Sequence, residues 1–346
     1  MEQDNPAPEE KILPQTGCAN CGHPIVEQGH PTQLCADCRA KFIHYPIPGG
    51  IKIFAGVIGV VLIFAMFKVP GNFSAGIHYQ RGKEAIKKSN YNTAEKELSK
   101  VIKKIPGFVS AKEYLAIASF HNQDMESFVK MVGELQGQKV EDESLYNEIN
   151  GLIAKVPNYV PGDSLMAFYT KYHSFDSIPE GVYREYLSTH QDELFPALRY
   201  ASVIFNNKQY RACDSLLDRI LEKDPAYPEA LYMKTSIKRE LDQLDSAHYY
   251  CDRILSLNKE STYGMASKAR TYLKQKKDAE GLQWALKSNE PDPAEPYSMA
   301  TLALAYHLNN QPGERDKLLE ASKKDSTQGA FMQYVIDIMD GKEKFR

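Results

Sequence analysis

An excess of either charge is the first thing this chain lacks: 42 lysines and arginines stand against 45 aspartates and glutamates in 346 residues, a formal net charge of −3. Phosphate binding needs a surplus of clustered cations, so no nucleic acid is expected as a partner. Catalytic signatures are missing too. There is no HExxH, no GxxxxGK[ST] and no GxGxxG, which removes the common zincin, P-loop and dinucleotide-binding readings. The run Gly71-Asn-Phe-Ser74-Ala-Gly76 lacks the glycine two residues before the serine that a nucleophile elbow requires. The nine histidines are scattered, and His121, His173 and His248 read as partly exposed helix residues. No secretory signal opens the chain either. Its first ten residues, MEQDNPAPEE, carry four acids, two prolines and no base, and the only long apolar run comes after residue 50. Residues 1–15 are expected to form a disordered acidic tail, with too little apolar surface to offset the entropy of ordering.

Cysteine is sparse but patterned. Four of the six cysteines form two CxxC pairs, Cys18/Cys21 and Cys35/Cys38, with thirteen residues between them. A CxxC turn aims two thiolates at one centre, and two such turns complete a tetrahedral four-sulfur site with no open position for chemistry. Gly22 after the first pair suits the positive φ of a tight knuckle, whereas Arg39 follows the second. Gly29, Pro24 and Pro31 lie between short apolar runs, the pattern of a small β-hairpin. His23 and His30 offer substitute ligands, although a surface-loop histidine is the plainer reading of each. No βαβ pattern surrounds the pairs, which argues against a redox dithiol. Residues 16–42 thus resemble the zinc-ribbon family, and the resemblance implies structural Zn2+ on Cys18, Cys21, Cys35 and Cys38.

From Ile53 to Phe67 fifteen residues run without a charge, bracketed by Lys52 and Lys68. With both lysines snorkelling to the headgroups, residues 51–69 are expected to form a transmembrane helix. Thiolate sites persist where thiols stay reduced. The expected topology therefore puts the N-terminus in the cytoplasm and the remainder outside it, periplasmic in a Gram-negative cell.

Beyond Pro70-Gly71 a beat of about 34 residues sets in. One slot holds Gly82, Ala201, Thr235, Ala269 and Ala303; another holds Leu98, Leu217, Cys251, Ala285 and Leu319. Antiparallel helices joined by a short turn approach closely only where a side chain is small, and the large slot packs on the next hairpin. These repeats resemble tetratricopeptide repeats (TPRs) over most of 75–329, with Phe128 and Arg315 departing from a slot that is usually small. The expected fold is all-α, a TPR-like solenoid with repeats at 75–142 and 194–329. Between them 143–193 forms an irregular segment with one odd helix, and 330–346 forms a capping helix ending in a solvent-exposed GKEKFR. Cys213 and Cys251 fall in core slots.

The resemblance implies a protein-interaction scaffold that binds proteins or peptides in a concave groove, with no enzyme activity and no small-molecule substrate. Residues between the packing slots of the first helices are Phe195, Tyr232, Arg239, Tyr263, Arg270, Tyr297 and His307. The Lys/Asn pattern by which some relatives grip a C-terminal carboxylate is absent, so chaperone-tail binding is not expected. The alternative is a regulatory or enzymatic subunit of a membrane complex, with chemistry in the irregular segment or in a partner.

Overall fold

The computed structural model describes residues 17–43, 48–139, 142–323 and 329–346, and the chain divides into two compact units, Met1–Pro70 and Gly71–Arg346. The acidic tail at 1–15 lies outside the described residues.

In the first unit the expected β-hairpin is not formed: no residue of 17–43 lies in a strand. Two backbone bonds, Ala19 N–H to the Gln33 carbonyl (2.8 Å) and Glu27 N–H to Leu34 (2.9 Å), hold the loop instead. Helix α1 (Ala36–Ile43) follows. Helix α2 (Gly49–Lys87) contains the apolar run and continues past Pro70 and Gly71. Its side chains from Ile51 to Ile63 are exposed apart from Gly59. Among the described residues no helix is long and apolar enough to cross a membrane, and the side chains of 64–67 lie outside the description.

The second unit is a TPR-like array of helical hairpins. The end of α2 pairs with α3 (Tyr91–Lys104), and α4 (Val109–His121) with α5 (Met125–Leu135). After the irregular stretch come α9 (Leu194–Asn206) with α10 (Tyr210–Lys223), α11 (Pro228–Glu240) with α12 (Leu244–Leu257), α13 (Thr262–Lys274) with α14 (Asp278–Asn289), and α15 (Pro296–Leu308) with α16 (Pro312–Ser322). Between the blocks lie α6 (Glu143–Lys155), α7 (Asp163–Tyr172) and α8 (Glu180–Thr189); α17 (Gly329–Met339) closes the array.

The repeat is visible in the turns. Ser89, Gln123, Lys208, Asp242, Lys276 and Asn310 all adopt positive φ, between 54° and 67°. In each turn the next residue donates its N–H to the carbonyl five residues back, Asn90 to Ala85 through Gln311 to Tyr306, at 2.7–3.0 Å. This is the Schellman ending, which satisfies carbonyls that the helix leaves open. The turns recur every 34 residues inside each block, but Gln123 to Lys208 spans 85, two and a half periods. The half period is the odd helix.

The small slots are packing requirements. A Cβ on Gly82 would meet Leu98 Cγ at 2.6 Å, and Leu98 is fully buried. Phe128, in a normally small slot, is also buried and meets Phe120 edge-on at 5.1 Å. Cys213 and Cys251 are free, fully buried thiols; Cys213 Sγ donates to the Ala201 carbonyl at 3.2 Å. Tyr159 joins the two blocks: it stacks on Tyr227 at 4.6 Å, meets Phe120 edge-on at 5.3 Å and donates to Asp224 at 3.0 Å. At the C-terminal end residues 341–344 are exposed as expected, and the expectation fails at the last two. The final residues are not free in solvent, because Phe345 is buried and Arg346 forms an ion pair with Asp278.

Candidate metal centre and concave face

The ligand atoms of Cys18, Cys21, Cys35 and Cys38 all lie within 4.8 Å of one another. Zn–S bonds of ~2.3 Å imply a tetrahedron with edges of ~3.8 Å, so the spacing fits one ion. The first knuckle closes by Cys18 N–H to the His23 carbonyl and Gly22 N–H to the Cys18 carbonyl, both 2.8 Å, with Gly22 at φ +74°. The second pair needs no glycine. Cys38 sits in the first turn of α1, where helical geometry returns the thiol towards Cys35 and the helix N-terminus favours negative charge.

Cys18, Cys35 and Cys38 are buried, and Asn20 Nδ2 donates to Cys38 Sγ at 3.3 Å. Backbone hydrogen bonding from Cys35 draws the Cys18 thiol down to about 6. The His23 backbone pulls Cys21 the same way, but the thiols of Cys38, Cys35 and Cys18 outweigh it and push Cys21 up to about 12. Four thiols this close do not ionise together without a cation among them. His23 engages the Ile25 backbone, and neither it nor His30 joins the cluster. The residues fit a closed, structural four-cysteine zinc site and leave no coordination position for substrate.

On the repeats, five of the seven candidate groove residues come together. Tyr232 of α11, Tyr263 of α13 and Tyr297 of α15 form a ladder with centroid spacings of 4.3 and 4.1 Å. Arg239 donates to Tyr297 Oη (3.2 Å), Ser236 Oγ (2.9 Å) and the Ser267 carbonyl (3.3 Å). Arg270 lies 4.4 Å over the Tyr297 ring, and its Nε donates to Thr301 Oγ1 at 2.8 Å. Arg239, Tyr263, Arg270 and Tyr297 line one cavity of about 400 Å3. Both arginines and Tyr297 are buried in its wall rather than spread along an open groove.

The other two residues do not join. Phe195 packs edge-on against Phe175 at 5.4 Å with Arg199 on its face, and His307 sits 3.3 Å from an Arg315 nitrogen. The cavity also takes Phe331 and Tyr334 from α17 and Lys344 and Phe345 from the tail. Those four were missed. The aromatic pair three apart in a capping helix, and a phenylalanine set among charges, were the available signals.

No protein-family model and no curated protein matches the chain. Among solved structures it is similar to MamA (14% identity over 50% of this chain and 94% of that one, TM-score 0.35). It is also similar to PilF of Pseudomonas aeruginosa (13%, 79% and 100%, TM-score 0.33) and to yeast Tom70 (14%, 77% and 63%, TM-score 0.38). Superpositions this loose decide nothing about partners, and the repeat architecture rests on the hairpins themselves.

Proposed function

We propose that the chain is a membrane-anchored protein-interaction scaffold. A structural zinc ribbon and a TPR-like array lie on opposite sides of a membrane crossed once by residues 51–69. The observation that carries the interaction role is the concave cavity, where aromatic and arginine side chains from three successive first helices converge. Such side chains bury large area while keeping polar handles, and they dominate binding energy at interfaces. The partner is a protein or peptide segment seated on this face. The membrane anchor is supported by the row of exposed apolar side chains on α2, among them Ile53 at 70%, Phe54 at 66% and Val60 at 67% exposure. The zinc ribbon belongs on the reducing, cytoplasmic side, which puts the array outside the cytoplasm.

The enzymatic alternative needs a cavity gathering perturbed carboxylates or histidines. Burial does push Glu95 up to about 7, but its hydrogen-bond partners Asn122 and Ser119 belong to the contact between α3 and α4.

Photo-crosslinking of the full chain in its membrane is the test. A photoreactive residue at Asn206 or Tyr334, both lining the cavity, should capture one protein, and one at Tyr249, exposed on α12, should not. Capture from Tyr249 alone moves the binding surface to the second helices. A C-terminal reporter active only in the cytoplasm should stay silent, and activity would reverse the topology.

A further inference from the structure

Two guanidinium groups are buried in the wall of the cavity without a hydrogen-bonded counter-charge. Arg239 and Arg270 are each 6% exposed. Among the described residues neither lies in an ion pair, and the hydrogen-bond acceptors of both are neutral. One terminal nitrogen of Arg270, Nη2, is buried with no acceptor. Glu240 and Glu343 also line the cavity but are exposed, as are Lys208 and Lys344. Glu240 acts on Arg239 and Glu295 on Arg270 only through space, and the Glu295 carboxylate is engaged by the backbone N–H groups of Tyr297 and Ser298. The phenols of Tyr263 and Tyr334 are pushed upward by burial, so neither supplies an anion. Burying a cation costs several kcal/mol unless an anion compensates it. No carboxylate among the described residues hydrogen-bonds either guanidinium, so the pair retains donors for a further anion.

Resting on the interaction reading above, we propose that Arg239 and Arg270 form a buried carboxylate-binding site for a glutamate side chain carried by an acidic segment of the partner protein. A guanidinium presents paired donors that match a carboxylate. The Tyr263, Tyr297, Phe331 and Phe345 rings around the cavity suit the aliphatic stem of glutamate. About 400 Å3 admits one or two side chains, not a folded surface.

The tail restricts entry. Phe345 walls the cavity, Lys274 Nζ donates to its carbonyl at 2.7 Å, and Arg346 pairs with Asp278. A segment seated in the cavity would lie against residues 343–345.

The test uses the full chain in detergent micelles and a fluorescein-labelled hexaglutamate probe, with hexaglutamine as control. Hexaglutamate should bind at least tenfold more tightly than hexaglutamine, and more weakly as salt rises. Arg270→Met should lose that preference. Ser236→Glu places a carboxylate beside Arg239, whose guanidinium already reaches Ser236 Oγ at 2.9 Å. This variant should raise Tm and abolish probe binding, which keeps the proposal testable if Arg270→Met fails to fold. Equal binding of the two peptides overturns the site, as does a Ser236→Glu protein with lowered Tm and unchanged probe binding. Displacement of the probe by free L-glutamate or inorganic phosphate at equal concentration overturns the partner-segment assignment. Crosslinking from Asn206 that persists beside an indifferent probe leaves the scaffold standing and refutes only the carboxylate site.

Discussion

Glu95 shows how one side chain couples the array to pH. It lies on α3, accepting from Asn122 Nδ2 at 2.6 Å and Ser119 Oγ at 3.4 Å, with Asp124 close by. Burial disfavours its charged form and pushes its carboxyl up to about 7. The folded chain therefore holds a proton that the unfolded chain releases near the ordinary carboxyl value. The stabilisation is complete below that value and is lost as pH rises through about 7. Asp124 does not share this slope: hydrogen bonds from Ser127 overcome its own burial and hold it low, so its contribution is lost only in more acid solution. Burial also raises Glu148, Glu229 and Glu295, which slope the same way, whereas burial lowers His121, His248 and His307, which slope the opposite way, so the informative quantity is a difference. Glu95→Gln keeps the shape and removes the titration. Its Tm should match that of the parent near about pH 5 and exceed it by several degrees near about pH 8.5. Parallel melting curves across that range would remove Glu95 from the account.

At the scale of elements, legibility followed local chemistry. The 34-residue beat was readable because small and large slots alternate through the hairpins, as Gly82 with Leu98 and Ala201 with Leu217 illustrate. The odd helix was readable too, since α6, α7 and α8 fall between proline and glycine breakers. What escaped was contact between distant segments. Phe345 in GKEKFR looks solvated until α17 brings it over α13, and no local pattern encodes that docking. The N-terminal segment differs: the clustering of its four cysteines is legible, but the glycine and prolines between short apolar runs suggest a hairpin where the chain forms turns. Among the described residues α1 is the only regular element beside the cysteines, so this segment is expected to depend on metal for its fold. The full chain should carry about one equivalent of zinc by metal analysis, and Cys18→Ser with Cys38→Ser should reduce this to background. Chelation should abolish protease resistance in 17–43 while the melting of the repeats stays unchanged. Zinc retained by the double variant would move the ligands elsewhere.

At the scale of the repeat unit, the chain turns back on itself. Glu260, between α12 and α13, accepts from the Thr93 backbone N–H at 2.8 Å and from Thr93 Oγ1 at 2.7 Å, while its carbonyl accepts from Asn92 Nδ2 at 2.8 Å. Lys259 N–H donates to the Ser89 carbonyl at 2.9 Å, Asn258 Nδ2 to Asn122 Oδ1 at 3.3 Å, and Lys96 Nζ to the Pro291 carbonyl. A regular solenoid packs each hairpin on its neighbours alone, so contacts across 136 to 195 residues need a change of course, and the half-period insertion lies between the segments they join. The clasp also completes a helix. Asn90, the residue before α3, makes no capping bond with its own side chain, and Thr93 is the third residue of α3. The Glu260 carboxylate thus caps α3 from another hairpin, where the helix dipole favours negative charge. Glu260→Ala should cost about 1–2 kcal/mol. It should raise hydrogen exchange at 91–95 and increase the radius of gyration, while Glu260→Gln should retain part of the cap and show a smaller effect. If exchange at Thr93 is unchanged in Glu260→Ala, the clasp does not hold α3, and the return of the array depends on the contacts of Lys259, Asn258 and Lys96 and on the Tyr159 joint.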